Sequence, residues 1–449
     1  MSTTPPQWYT HLYAIIQHPS EPGVLVLPNA EGLTLPHIQM DGRIWTPELE
    51  QVILAIRENL ALDSIVLRCA WSKSDHETQQ LSALYVLEPR DRSWTPPADA
   101  RWIGREALNE LTLPDPDLHT AVAAYFDDQG DELRPAWDQP GWFASAEHWI
   151  HEQLTQRGYQ LSTPVEQVKS WGLSCVLRAR TTGGDMYFKV ASRRALFGDE
   201  PRLMATLATE HPGYVPAPLA IDWEQSWMLL ADVGPGLHQT PEREAWKTAL
   251  RLHSQVQQSF AAHPERVLAI GGVDRRLARL ALEVESLLSK PEALDRLSDE
   301  ERQQVESLRP RVEQMCRELE GGDVPQTLAH GDLHGGNIAL HDGRYLCFDW
   351  TDGCLTHPFF DLVTMLEAAE ESLDAEAALD LRDAYLEQWT SYAPIERLRE
   401  LWRLAEPLGS LHQAVSYYHI VESVEPAARR PLAGAIAYWI RRTLQSLPE

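Results

Sequence analysis

The chain has 449 residues, of which 43% are hydrophobic and 23% charged, and its formal net charge is −27 at pH 7. This composition is typical of a globular protein, and the length suggests two or three domains. Nucleic acid and anionic membrane both require a basic face, so the charge argues against either partner. It favours a cationic small substrate, although excess acid also simply aids solubility.

The cysteines and the apolar pattern predict a cytoplasmic protein. Five cysteines, odd in number and scattered, are typical of reduced thiols. The sequence has no run of about 18 apolar residues, so we expect no membrane partner. Its start, MSTTPPQWYTHLY, lacks the charged-then-apolar pattern of a secretion signal. No signal in the sequence decides the oligomeric state.

Residues 1–125 predict a first, small α/β domain. Strands are expected at 9–17 and 24–27 around a turn at 19–23, and at 64–70 and 82–87. Between them, residues 47–60 predict a helix with an apolar stripe that includes Val52, Ile56 and Leu60. The segment ARWIGREALNELTLP then predicts a turn anchored by a tryptophan and a short helix.

This order of elements resembles a Nudix domain. Members of that family hold metal with an Arg-Glu pair followed by a Glu-Glu pair on one helix. This chain has Leu54-Ala55 and Glu58-Asn59 at those places. A divalent cation needs several carboxylates, so the resemblance implies a Nudix-like fold without hydrolase activity. Any small α/β domain is the alternative, and substrate capture, dimerisation and a structural brace are all open as its role.

Residues 126–145 are polar and contain Pro and Gly, which predicts a linker. Trp137 and Trp142 indicate that its second half docks onto a neighbouring element. Ser145 is expected to cap a helix over 146–158.

Residues 146–240 predict a nucleotide-binding half. Strands are expected at 165–171, 175–181 and 186–190, and Lys189 lies late in the third. A helix over 195–207 would bring in Glu200, just before Pro201 at a position suited to a first turn. A further strand is expected at 227–232. A lone Lys in a strand is usually a solvent-facing side chain.

Residues 241–449 predict a mainly helical half. A charged helix at 298–319 begins with a capping box made by Ser298 and Glu301. Further helices are expected at 374–391, 395–423 and 426–446, and they would wall a substrate pocket. The candidates for lining it are acids and aromatic residues, although aromatics at such spacings are more often core: Glu367, Glu370, Glu371, Glu406, Trp402, His412, Tyr417 and Tyr418.

Three polar residues stand out in the segment LAHGDLHGGNIALHDGRYLCFDW. Asp332 is followed by Asn337, and Asp349 comes after two short predicted strands, 337–340 and 345–348, joined by a tight turn. A loop followed by a hairpin places these side chains at one end. Kinase chemistry asks for such a base and two oxygen ligands for Mg²⁺. In the alternative interpretation, Asp332 and Asn337 only cap a turn, and His330 and His334 bind Zn²⁺ from one face of a helix. The glycines of this segment disfavour a helix and therefore count against the zinc site.

HGDLHGGN followed by FDW resembles the catalytic segment of the aminoglycoside phosphotransferase and choline kinase group. The resemblance implies an α+β, two-lobed protein-kinase-like fold, with a small mixed-sheet lobe and a mainly helical lobe, over residues 145–449. Asp332 would orient or deprotonate the acceptor hydroxyl, and Asn337 and Asp349 would hold Mg²⁺. Asp361 would brace the catalytic loop.

The same resemblance implies the nucleotide contacts. Lys189 would hold the α- and β-phosphates, with Glu200 as its carboxylate partner and Asp199 and Glu210 as competitors for that role. In the loop 171–174 only Gly172 remains of the kinase glycine pattern, and Ser174 fits the serine-bearing version. Backbone groups near Leu230 and Asp232 would bind the adenine edge, and ATP is the default nucleotide.

The predicted function is therefore an ATP- and Mg²⁺-dependent O-phosphotransferase acting on a small hydroxylated molecule, with amine-bearing compounds such as aminoglycosides as one class. Sugars, amino alcohols, macrolides and peptide antibiotics are open as acceptors. A second hypothesis is a binding or scaffold protein without kinase activity. A third is hydrolysis of nucleoside diphosphates by the first domain.

Overall fold

The computed structural model describes residues 7–18, 21–91, 93–128, 130–194 and 196–447. Two compact units divide these residues, and each is built around its own core. The first contains the residues up to Ser192 together with 423–431, and the second contains 193–422 and 432–447. The predicted boundaries at 125, 145 and 240 stay predictions.

The first unit opens with a mixed α/β arrangement. Its elements are β1 (Tyr9–Ile16), β2 (Val24–Asn29), β3 (Gly32–Thr34), β4 (His37–Asp41), α1 (Glu50–Leu60), β5 (Ser64–Asp75), β6 (Gln80–Pro89), β7 (Arg101–Ile103) and α2 (Pro116–Phe126). One sheet has the order β4-β1-β6-β5, in which β1 and β6 are parallel, and a second has the order β3-β2-β7. Because Val52, Ile56 and Leu60 recur at helical spacing, α1 buries one face in the core beneath the first sheet.

The unit continues with one helix and three antiparallel strands. These are α3 (Trp142–Gln156), β8 (Glu166–Trp171), β9 (Ser174–Thr181) and β10 (Gly184–Ala191). β9 pairs with β8 on one side and with β10 on the other. Phe188 and Leu177, which are opposite each other in β10 and β9, are fully buried.

The second unit is mainly helical. Its elements are α4 (Glu200–Glu210), β11 (Ala220–Asp222), β12 (Trp227–Ala231), α5 (Arg243–Ala261), α6 (Glu265–Ala269), β13 (Val273–Asp274), α7 (Leu277–Leu288), α8 (Pro291–Leu294), α9 (Asp299–Glu320), β14 (Thr327–Ala329), β15 (Ile338–His341), β16 (Arg344–Cys347), β17 (Cys354–Thr356), α10 (Phe360–Ser372), α11 (Ala375–Leu386), α12 (Ile395–Ser423) and α13 (Pro426–Ser446). The last residue of α12 and the first six residues of α13 belong to the first unit. The capping box of Ser298 and Glu301 is present, as predicted. No described helix has the length and apolar sequence needed to cross a bilayer.

Several predicted boundaries are wrong for identifiable reasons. The first helix begins at Glu50 because residues 47–49 bond to β8 through the N–H of Leu49 and the carbonyl of Pro47. α3 begins at Trp142 after Gly141, whose φ of 82° ends the preceding turn, so Ser145 does not cap it. The helix expected at 195–207 spans Glu200–Glu210, since Asp199 caps it by accepting from the N–H of Arg202. Ala195 and the first part of the predicted 19–23 turn lie outside the described residues.

The predicted linker is only partly irregular. A short 3₁₀ turn spans Ala136–Asp138, and Trp137 is 6% exposed, so the second half of the segment docks as predicted. The mixed α+β class is confirmed, and the helices predicted at 395–423 and 426–446 have those bounds.

Three buried histidines in the second unit predict acid-sensitive folding. Burial lowers the pKa of His330 to about 4 and those of His357 and His412 to about 3. Unfolded histidine titrates near 6.5, so between these values the unfolded chain binds more protons and stability falls as the pH falls. The slope is about 1.4 kcal/mol per pH unit for each histidine. Urea unfolding of the full chain at pH 7, 6 and 5 measures it.

His357→Phe should make this pH dependence shallower by about one proton. Among the described residues the His357 Nε2 has no hydrogen-bond partner, and its ring packs against Phe359, so an apolar ring suits the site. The substitution also loses the bond that Nδ1 accepts from the N–H of Phe359. The control is His263→Phe, at an exposed position, which should keep the full slope. Equal slopes for the parent and His357→Phe would contradict the assignment.

Candidate functional site

A tight hairpin fixes where Asn337 and Asp349 lie. β15 and β16 pair antiparallel from Ile338 opposite Cys347 to His341 opposite Arg344. The turn residues, Asp342 and Gly343, have φ of 48° and 73°, as in the two-residue turns that match strand twist. At the open end, the N–H of Phe348 donates to the carbonyl of Asn337 at 2.9 Å. The register therefore brings the backbone segments of Asn337 and Asp349 side by side.

Both residues offer oxygen at this end of the hairpin. The Asn337 side chain is buried, and its Nδ2 donates to the Asp332 carbonyl at 3.0 Å, which leaves Oδ1 as its ligand atom. Asp349 adopts the left-handed conformation, with φ of 63°, and its Oδ1 accepts from Thr351 Oγ1 at 3.0 Å. An amide oxygen and a carboxylate are hard donors of the kind that Mg²⁺ prefers, so this pair fits a magnesium site.

Asp332 lies on a loop that other elements hold from several sides. Gln413 on α12 donates to the carbonyl of Gly331 at 2.6 Å, and Thr364 on α10 donates to that of Leu333 at 2.7 Å. Gly331 has φ of +83°, and a Cβ there would lie 2.4 Å from the Asp352 carbonyl oxygen. The loop backbone is thus fixed, while the Asp332 side chain is 46% exposed and accessible to a small molecule.

Asp361 is the buried acceptor that joins this loop to the helices. Its carboxylate accepts from the N–H groups of His330 and Gly331 at 2.8 and 2.9 Å, and from His253 Nε2 and Gln257 Nε2 at 2.8 and 3.0 Å. Burial alone would raise the pKa of Asp361, but the hydrogen bonds from His253 and from the N–H of His330 hold it below its usual value. The ionised carboxylate therefore makes contacts of the kind expected of a brace for the catalytic loop.

A hydroxyl orders the histidine behind that carboxylate. Tyr214 Oη lies 2.6 Å from His253 Nδ1. Because Nε2 of His253 must donate to the carboxylate, Nδ1 is the acceptor and the tyrosine is the donor. The chain of bonds runs from Tyr214 through His253 to Asp361, entirely within the second unit. This chain borders a small cavity lined by Tyr214, His253 and Tyr345, among others.

The zinc alternative for His330 and His334 does not fit. Residues 328–336 form a strand end and a loop, so the two rings do not share a helical face. His330 is fully buried and neutral, and its Nε2 donates to the carbonyl of Phe348 at 2.9 Å. In the part of the chain that the structure describes, no group of three or more His, Cys, Asp and Glu is placed to hold a metal ion.

The nucleotide residues predicted in the second unit lie near the hairpin. Glu200 is 2% exposed, and its carboxylate accepts from the N–H of Trp350 at 3.1 Å. Thr351 Oγ1 lies 3.2 Å from the same carboxylate, which shares the single hydroxyl proton with Asp349. These bonds attach α4 to the residues that follow Asp349. Leu230 lies in β12, and the exposed Asp232 begins a segment whose Gly236 bridges to Ala339 of β15.

Lys189 and Ser174 belong to the first unit. Lys189 is half-buried on β10, opposite Val176 of β9. Ser174 is 8% exposed, and its Oγ accepts from Trp171 Nε1 at 2.9 Å across the two-residue turn of Gly172 and Leu173. The hydroxyl predicted to face phosphate is therefore buried beside an indole, because Trp171 folds back over the turn.

The predicted pocket-lining residues divide into two groups. Burial raises the pKa of Tyr417, and the nearby charges of Asp332, Asp352 and Glu367 raise it further. Tyr417 and Glu367 are therefore the predicted lining residues that lie in the same surroundings as Asp332. Burial and neighbouring carboxylates raise the pKa of Glu367 to about 7, and Tyr438 donates to its carboxylate. The other predicted residues form the second group. Trp402 and His412 are core residues, Glu370 and Glu371 are exposed, and Glu406 is half-buried. Tyr418 lies near Glu422 and Glu292.

His253 and Gln257 are functional candidates that the sequence analysis missed. Both face the core of the second unit on α5, in phase with Trp246, Leu250 and Phe260. Polar residues at core positions of an apolar stripe are the signal that could have revealed them, because a buried polar group needs a partner.

Asp361→Asn should destabilise the second unit and loosen the loop that holds Asp332. The amide replaces one acceptor oxygen with a donor that faces N–H groups, which costs about 1–3 kcal/mol. Urea unfolding measures the loss. Asp383→Asn removes a partly exposed ion-pair partner of Arg399 and is the control, with an expected effect of about 0–1 kcal/mol. An Asp361→Asn variant as stable as this control would contradict the bracing role.

The sequence was compared with family models and with curated proteins. The family model described as "Phosphotransferase enzyme family" matches residues 170–395, a little over half of the chain. Compared with curated proteins, the sequence has no significant match.

Three solved structures are among those that the chain is similar to. A type I macrolide 2′-phosphotransferase is 16% identical, with 66% of this chain and 97% of that chain covered and a TM-score of 0.45. A choline/ethanolamine kinase family protein from Mesorhizobium loti is 16% identical, with 68% and 98% covered and a TM-score of 0.46. A choline kinase from Streptococcus pneumoniae is 15% identical, with 66% and 99% covered and a TM-score of 0.43.

The matched residues include the hairpin, the loop that holds Asp332, and the helices α5 and α10, whereas Gln413 on α12 lies beyond the match. By the match of the family model over these residues, the chain belongs to the phosphotransferase enzyme family.

Proposed function

We propose that the protein is an ATP- and Mg²⁺-dependent phosphotransferase that transfers the γ-phosphoryl group to a hydroxyl of a small, amine-bearing molecule. The observation that carries the proposal is the arrangement of Asp332, Asn337 and Asp349. An exposed carboxylate on a rigid loop is joined, by the bond from Asn337 Nδ2 to the Asp332 carbonyl, to a pair of oxygen ligands. Phosphoryl transfer depends on this kind of positioning more than on covalent chemistry.

Asp332 is proposed to receive the acceptor hydroxyl. Its carboxylate would accept the hydroxyl proton and orient the oxygen in line with the phosphorus atom. Its support is the fixed backbone on which it stands and the exposure of its side chain. Asn337 and Asp349 would hold Mg²⁺, which neutralises charge on the phosphates when bound.

The nucleotide contacts complete the proposal. Lys189 would hold the α- and β-phosphates, and backbone groups near Leu230 and Asp232 would bind the adenine edge. Glu200 would be the carboxylate partner of Lys189, and its bonds to Trp350 and Thr351 would also fix the segment after Asp349. For residues 171–174, backbone N–H groups are the proposed phosphate contacts, since the Ser174 hydroxyl is buried.

A hydroxylated amine is the proposed acceptor class. Asp332 and Asp352 add negative charge around Tyr417, and Glu367 adds more as the pH rises through its pKa of about 7. A protonated amine is attracted to such carboxylates and to the face of a tyrosine ring. The net charge of −27 works in the same direction by raising the local concentration of cations.

The remaining expectations concern the first domain and the location. A Nudix-like fold without hydrolase activity is proposed for residues 1–125, because Glu58 is the one acid retained at the four signature positions. Cytoplasmic location is proposed from the scattered cysteines, of which Cys175, Cys316, Cys347 and Cys354 are buried.

Release of ADP with a panel of amines, polyols and macrolides tests the proposal. The parent protein should turn over at least one amine-bearing acceptor in the presence of Mg²⁺. Asp332→Asn should lower kcat by at least about 100-fold while Mg²⁺-ATP still binds, because general-base positioning is lost. Asp349→Asn should instead lose the Mg²⁺ dependence of nucleotide binding.

Asp342→Asn is the matched control for both variants. Asp342 lies in the turn at the other end of the same hairpin, with φ of 48°, a conformation that Asn adopts readily. Its activity should equal that of the parent. Absence of turnover with every acceptor, together with absence of Mg²⁺-dependent ATP binding, would favour a binding or scaffold protein. Nucleoside diphosphate hydrolysis that survives Asp332→Asn would favour activity of the first domain.

A further inference from the structure

Residues 47–49, in the chain before α1, cover the outer edge of β8. On one side β8 pairs with β9. On the other, the N–H of Leu49 donates to the carbonyl of Val168 at 3.0 Å, and the N–H of Ser170 donates to that of Pro47 at 2.9 Å. Glu48 and Lys169 form an antiparallel bridge between these bonds. An edge that would otherwise expose backbone groups is thus closed by a segment about 120 residues earlier in the chain.

A side chain of β8 adds a further rung. Gln167 is 4% exposed, and its Oε1 accepts from the N–H of Val66 at 2.8 Å while its Nε2 donates to the carbonyl of Val66 at 2.9 Å. Val66 lies where the pairing of β5 with β6 shifts register, so its backbone groups need partners. The primary amide of Gln167 supplies both, as a neighbouring strand would.

Tryptophans hold the turn between β8 and β9. Trp137 Nε1 donates to the carbonyl of Trp171 at 2.8 Å, and Trp171 Nε1 donates to Ser174 Oγ. The Lys169 ammonium lies 4.7 Å from the Trp45 ring centroid and 5.1 Å from that of Trp171.

The turn is also packed against Val424. A Cβ on Gly172 would lie 2.8 Å from Val424 Cγ1. Glu425, the next residue, pairs with Arg134, which also pairs with Asp128. Arg134 stands three residues before Trp137 in the same segment. The ion pair of Arg134 and Glu425 therefore joins the segment that contains Trp137 to the segment that packs on the turn.

We propose that Trp137 and Trp45 are positioning residues for the nucleotide, and that the N-terminal part of the first unit serves as a brace for the turn 171–174. By fixing the Trp171 carbonyl and the ring of Trp171, they keep the backbone N–H groups of the turn in one conformation that phosphate can bind. This inference rests on the proposed function, since it assigns the turn to the phosphates. Among the roles open for residues 1–125, it selects the brace.

Trp137→Phe in the full-length protein tests the inference. The phenyl ring fills most of the buried space but cannot donate to the Trp171 carbonyl. The KM for ATP should rise about 5-fold, as expected for one hydrogen bond, while the KM for the acceptor stays within about 2-fold. Hydrogen exchange of the amides of residues 172–175 should become faster. A merely structural role would lower stability without separating the two KM values.

Trp94→Phe is the matched control. Trp94 makes the same kind of bond in the same unit, but its Nε1 donates to the carbonyl of Leu60 and not to the turn. Both KM values and the exchange of the turn should stay at the parent level. Trp45→Leu is a second variant, and the fold should tolerate it because Trp45 is 49% exposed. It removes the cation–π contact with Lys169 and should raise the KM for ATP about 2- to 3-fold.

The outcomes separate this inference from the proposed function. Unchanged exchange at residues 172–175 and unchanged KM for ATP in both variants would overturn the brace. An altered KM for the acceptor instead of ATP would also overturn it, and would favour substrate capture. A parent protein that binds no nucleotide would overturn the proposed function. Faster exchange of the turn in Trp137→Phe would then show that the failure lies in the nucleotide assignment, whereas unchanged exchange would place it in the brace itself.

Discussion

The buried carboxylate of Asp361 is the constraint on which the site depends. Four donors converge on its two oxygens, two from the backbone of the loop and two from side chains of α5. A charge at 2% exposure is tolerated in a core only when hydrogen bonds compensate its lost hydration. The loop conformation that exposes Asp332 is therefore tied to the integrity of the helical core. A weakened bond inside that core changes the position of a side chain at the surface.

Glycine sets a second constraint because the loop is packed too closely for side chains. A Cβ on Gly335 would lie 2.6 Å from the ring of Trp246, which is fully buried. At Gly331 the positive φ and the nearby Asp352 carbonyl exclude other residues as well. Close packing on both sides of Asp332 gives a site on a loop the rigidity of a site on a regular element. Catalysis by alignment requires that rigidity.

The sequence predicted those parts of the site whose chemistry is local. The hairpin of β15 and β16 could be predicted because the turn residues and the alternating strands lie within a dozen positions. The resemblance supplied the roles proposed for Asp332, Asn337 and Asp349, which stay predictions. The partners of Asp361 could not, since His253 is 108 residues away and only the fold brings it close. The burial of Ser174 was missed because it depends on how Trp171 folds over the turn, and that depends on Trp137. Helix starts at Glu50 and Trp142 were missed for a related reason, because tertiary bonds and a left-handed glycine override the apolar period.

The bonds between Val66 and Gln167 have a consequence for synthesis of the chain. A ribosome releases the N-terminal residues first, so β5 and the segment 47–49 are already made when β8 emerges. An unpaired strand edge invites pairing with other molecules while the rest of the chain is unfinished. Here the segment 47–49 is made before β8, so the edge of β8 can be covered soon after β8 leaves the ribosome. The opposite order of the two segments would leave the same edge bare while about 120 further residues were made.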